Sequence, residues 1–163
     1  ENFVVVATFG SDSNNVKADG FPTVFVECLD ADGNTVVRNG FGFGQANRDA
    51  VGKTPAPGKY YYVNNDNYPQ PKSLTFDEDG YTLVNLVIYR YNGVYSFYGN
   101  GELIASFAVD TGNSVASEIQ FYEGGNPSFT SDIQLLDSVY VGLLAPFITF
   151  LASQFTFSSK EAS

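Results

Sequence analysis

Between Tyr81 and Val109 the chain reads YTLVNLVIYRYNGVYSFYGNGELIASFAV. Apolar and aromatic residues run up to Asn92-Gly93, then to Gly99-Asn100-Gly101, then on again. Asn and Gly accept the positive φ of tight hairpin loops at little cost, and other residues do not. Two such corners flanked by strand-forming residues predict three consecutive antiparallel strands. A chain committed to this folding-back must bury the resulting sheet against a second layer.

The remaining segments read as partners for that sheet. Phe3 to Phe9 is an apolar run and predicts a buried strand. Phe21 to Leu29 predicts another, followed by Asp30-Ala31-Asp32-Gly33-Asn34 and Thr35-Val36-Val37, a hairpin across an Asp-Gly turn. Asn39 to Gln45, NGFGFGQ, reads as a glycine-rich strand or bulge with Phe41 and Phe43 on one face. Residues 46 to 80 form a long irregular connection rich in proline and glycine, with one short strand from Lys59 to Val63. Ser117 to Tyr122 and Asp132 to Leu144 supply more strands, separated by a turn at Gly124-Gly125-Asn126-Pro127. Some ten short strands with frequent turns predict an all-β, two-layer antiparallel β-sandwich or jelly roll, formed as a single domain over residues 1–163. Pro146 to Phe157, PFITFLASQFTF, is apolar on both faces as a strand and presents one stripe as a helix. It is expected to be an extra strand of the sandwich or one donated to a neighbour.

Composition narrows the function. The 163 residues hold 18 acidic and 8 basic side chains, a formal charge of −10. No Lys or Arg occurs between Arg90 and Lys160, where six acids lie. Phosphate backbones and anionic lipid surfaces need clustered cations, so no nucleic acid and no anionic membrane is expected as a partner. The uncharged run from Ser138 to Ser159 contains Gly142, Pro146 and several polar residues, and no membrane span is expected there. The single cysteine, Cys28, lies in TVFVECL and reads as a small buried hydrophobe. With no histidine in the chain it lacks the usual base for nucleophilic work. Gly40, Gly42 and Gly44 do not have the dinucleotide-binding spacing. The DADGN turn starts like a calcium loop, but Phe41 stands where a bidentate glutamate is needed. No metal or other cofactor is expected. A retaining glycosidase needs two facing carboxylates, and the nearest cluster, Asp77-Glu78-Asp79-Gly80, reads as a turn. The chain is therefore expected not to be an enzyme.

Long ordered loops on β scaffolds carry function. Tyr60, Tyr62, Asn65, Asp66 and Tyr68, in KYYYVNNDNYPQP, form the candidate ligand-binding set. Tyrosine rings offer apolar faces to sugar rings, and the amide and carboxylate groups hydrogen-bond hydroxyls.

Val84 to Phe107 resembles the hairpin signature of laminin G-like and other concanavalin A-like domains, a YVNG-x-x-A turn. Tyr98, Asn100, Gly101, Glu102, Leu103 and Ala105 occupy those places, with Gly99 where valine is usual. Phe129, Ile133 and Asp137 match a later family strand, with different spacing. The resemblance implies two curved antiparallel sheets and a recognition role toward glycans or proteins. The expected function is an extracellular or cell- or virion-surface recognition and adhesion module. The alternative is a structural subunit of a filament, fibre or coat that self-assembles by strand addition through 146–157.

Overall fold

The computed structural model describes residues 2–12, 21–45, 55–64, 67–77, 81–110, 112, 115–122 and 134–143. Nine strands occur among them: β1 (Phe3–Asp12), β2 (Thr23–Leu29), β3 (Thr35–Phe43), β4 (Tyr60–Asn64), β5 (Tyr81–Tyr91), β6 (Val94–Gly99), β7 (Glu102–Ala108), β8 (Val115–Tyr122) and β9 (Gln134–Leu143). They form a five-stranded sheet in the order β7-β6-β5-β1-β9 and a four-stranded sheet in the order β4-β3-β2-β8. Every ladder is antiparallel. The expected two-layer all-β sandwich is the fold.

The hairpin corners are where the residue types place them. Asn92 and Gly93 have φ of 48° and 77°, and Asn100 and Gly101 have 47° and 81°. Positive φ at both central residues gives a turn whose twist matches that of the flanking strands. β5, β6 and β7 pair in succession, with a register shift in the β6–β7 ladder between Phe97 and Tyr98, and Tyr89 and Tyr98 sit on the adjacent strands β5 and β6. The glycine-rich stretch becomes the end of β3, with Phe41 and Phe43 both buried inward.

Alternation puts Phe3, Val5, Ala7 and Phe9 of β1 inward, opposite Val24 and Val26 of β2. Aromatic rings join the layers. Phe41 of β3 stacks on Phe97 of β6 with centroids 5.1 Å apart and planes 5° from parallel. Tyr62 of β4 packs on Phe107 of β7 at 5.3 Å. Rings of this size bury large apolar areas and lock the sheet spacing.

The outer face of the four-stranded sheet is also filled. The rings of Phe25 and Tyr61 lie over Gly40 and Gly42, in the space that a Cβ there would take. Arg38 covers Phe25, its guanidinium carbon 3.6 Å from the ring centroid, and its Nε donates to Glu27 Oε1 at 2.8 Å. Among the described residues no helix is long and apolar enough to cross a membrane. The Gly124–Pro127 turn and the segment Pro146–Phe157 lie outside the described residues.

Candidate functional site

The candidate site is built at the β4 and β7 edges, where the two layers meet. Residues 69–74 run beside β4 as an improvised edge strand. Tyr62 N–H donates to the Pro69 carbonyl at 3.1 Å and Tyr60 N–H to the Lys72 carbonyl at 3.0 Å. Leu74 N–H donates to the Gly58 carbonyl at 2.8 Å, and Lys59 Nζ reaches Ser73 Oγ at 2.8 Å. Prolines at 69 and 71 have no N–H to offer, so the segment pairs on one side and leaves no donor row there toward solvent.

From the other layer comes the β6–β7 corner. Asn100 Oδ1 accepts from Asn85 N–H, and Asn100 N–H donates to the Asn85 carbonyl, both at 2.8 Å. Gly99 is bare for a steric reason: the Tyr60 ring and hydroxyl occupy the place of its Cβ. Lys72 and Glu102 form an ion pair across the gap.

These parts enclose a shallow depression of ≈ 190 Å³ lined by Tyr60, Ser73, Leu74, Thr75, Gly99, Asn100 and Glu102. Pockets for drug-sized molecules run from about 300 to 1,000 Å³, so this one takes a single small polar ring or group. Its side-chain chemistry is hydroxyl, amide and carboxylate, a set that both donates to and accepts from a polyol. Burial, with a smaller push from the Glu102 charge, raises the Tyr60 phenol to about 12. The phenol is therefore a proton donor at any physiological pH. Of the lining residues only Glu102 is a carboxylic acid, whereas glycoside hydrolysis takes two.

The structure treats the five sequence-derived site residues differently. Tyr60 lines the depression, but its ring is only 3% exposed and stacks on Phe41 with centroids 5.9 Å apart. The core covers its ring, which leaves the hydroxyl end, beside Gly99, as the part of Tyr60 next to the depression. Tyr62 points between the sheets onto Phe97 and Phe107. Tyr68 is 51% exposed at the far end of the edge segment from Ser73. Asn65 and Asp66 lie outside the described residues. Ser73, Thr75, Asn100 and Glu102 are the additions. Glu102 and Asn100 stand in the hairpin signature, where the Asn-Gly corner accounts for them without a ligand.

The DADGN turn is closed by its own groups. Asp30 Oδ1 accepts from Asn34 N–H at 2.8 Å and from Asp32 N–H at 2.9 Å. Asn34 N–H, then its side chain, hold the Asp30 carboxyl below its ordinary value. Among the described residues no group of three or more His, Cys, Asp or Glu is placed to hold a metal.

No protein-family model matches the chain, and a search of curated proteins finds no match. Solved structures do match. A tetrameric galectin from the ball sponge Cinachyrella sp. superposes with a TM-score of 0.58 at 10% identity, covering 86% of this chain and 91% of its own. The Caenorhabditis elegans galectin LEC-6 gives 0.48 at 14% identity, over 87% of this chain and 83% of its own. Alginate lyase A1-II′ gives 0.40 at 16% identity, over 88% of this chain and 63% of its own. The sponge galectin likeness bears out the concanavalin A-like sandwich. A specifically laminin G-like relationship is not among these likenesses.

Proposed function

We propose that this chain is a non-catalytic recognition module that binds glycans on an extracellular, cell or virion surface. The observation that carries this reading is the polar depression between Ser73–Thr75 and Asn100–Glu102, with the Tyr60 hydroxyl at its wall. Groups fixed on paired backbone and facing a cavity of one-ring size read hydroxyl geometry at low entropic cost. The galectin-like fold supports the reading, since galectins are lectins. Saturation-transfer NMR against a panel of mono- and oligosaccharides tests it. Contact between at least one sugar and the full chain is expected, weakened roughly 5- to 10-fold in Glu102→Gln through loss of one charged hydrogen bond. No transfer to any sugar at millimolar concentration overturns it.

A second reading, a self-assembling structural subunit, draws on the β9 edge. Val139 and Val141 share a face with inward Ala7 and Val5, yet are 43% and 49% exposed. An apolar strand added along β9 would cover them. Removing residues 146–163 separates the cases: a folded chain that no longer assembles supports strand donation, and unchanged assembly rules it out.

A further inference from the structure

The outer face of the five-stranded sheet carries an aromatic and aliphatic surface. In β1 the outward residues are Val4, Val6 and Thr8, set by their alternation with buried Phe3, Val5, Ala7 and Phe9. Register then builds a row across four strands: Tyr98 of β6 opposite Val87 of β5, Val87 opposite Val6 of β1, and Val6 opposite Tyr140 of β9. Tyr89 lies two residues along from Val87 and stacks on Tyr91 with centroids 6.2 Å apart. Leu103, opposite Tyr98, is 46% exposed, and Leu83 is 51% exposed.

Two facts select the occupant. At the outward positions Val4, Val6 and Thr8 of β1, and at those facing with them on β5 from 83 to 91, on β6 from 94 to 98 and at 138 and 140 of β9, no side chain is charged, while the chain carries −10. Four of its polar side chains are turned toward each other: Asn85 Nδ2 donates to Thr8 Oγ1 at 3.1 Å, and the Ser96 and Ser106 hydroxyls bond at 2.9 Å. Such a face presents no charged group at its middle, and it is a place where two like-charged copies can meet through uncharged side chains. Its size fits. Five strands ~4.8 Å apart, rising ~3.4 Å per residue, present on the order of 700 Å², against about 800 Å² per partner in a stable interface.

We propose that two copies of this chain pack back to back through these five-stranded sheets, with Val87, Tyr89 and Tyr98 near the contact centre and Leu103 toward the β7 side. The two-fold arrangement makes the patch its own partner. This is independent of the glycan site, which opens at the β4–β7 edge. Analytical ultracentrifugation of the full chain over a concentration series should give a dimer that tightens with added NaCl, because screening removes repulsion between the two charges. Tyr98→Glu and Leu103→Glu should each raise the dissociation constant about 30-fold or more, while Gln120→Glu on the other sheet should leave it unchanged. Hydroxyl-radical footprinting of the unaltered chain supplies a readout that does not depend on any variant folding. Tyr89, Tyr91, Tyr98 and Tyr140 should become protected as the dimer forms. A monomer at every concentration overturns the proposal. So does a dimer with unprotected tyrosines, or one that loosens with salt. Protection that appears only with added lipid vesicles or insoluble polysaccharide also overturns it, by assigning the face to a different occupant.

Discussion

Tyr60 links the core to the candidate site. One face of its ring stacks on Phe41, and its hydroxyl edge stands over Gly99. Burial holds the phenol neutral, so its pKa in the folded chain, about 12, lies above the ordinary 10.0. The stabilisation from this difference is complete below about pH 10 and is lost as pH rises toward 12, where the unfolded chain ionises first. Tyr95 shifts in the same direction, through burial first and the nearby Cys28 second. Urea midpoints measured across this range should fall with pH, and Tyr60→Phe should flatten the fall. The same variant should weaken sugar binding roughly 5- to 10-fold through one lost hydrogen bond. A steep, unaltered alkaline limb in Tyr60→Phe would leave the slope to other tyrosines. Gly99→Ala forces a methyl into the Tyr60 ring, and about 1–3 kcal/mol of stability should be lost in chemical denaturation.

The β5–β6–β7 meander is the most local of the strand groups, each strand pairing with the next. Its corners hold Gly93 and Gly101 at φ of 77° and 81°. Gly93→Ala puts a Cβ against a carbonyl in the left-handed region and should cost about 1–2 kcal/mol in thermal or urea unfolding. A neutral result would mean that the corner relaxes to another turn. This meander was legible from residue types because two-residue loops and period-two alternation are local properties. The edge strand at 69–74 was not. It has two prolines and little strand propensity, and it forms only because β4 leaves backbone donors that need acceptors. Ser73 and Leu74 of the candidate site lie on that segment, with Thr75 just after it, so this wall of the site was invisible for the same reason.

Across the molecule, the layers are held by contacts between residues far apart in the chain. β1 sits between β5 and β9, and the Phe41–Phe97 stack joins one sheet to the other. Phe97→Ala removes the ring that touches Phe41, Tyr62, Tyr95 and Phe107, and should cost about 3–5 kcal/mol. A smaller loss, read from urea unfolding, would mean that the neighbouring rings collapse into the space. Strand identity, turn position and inward face all followed from neighbours in the chain, since propensity, positive φ and alternation act over a few residues. Which strands stand side by side is another matter. So is the burial of the Tyr60 ring against Phe41, and the gathering of Ser73 with Glu102. These depend on loop closure over long separations and on which apolar faces find each other. Those energies belong to the assembled sandwich and leave no periodic mark on the residues that make it.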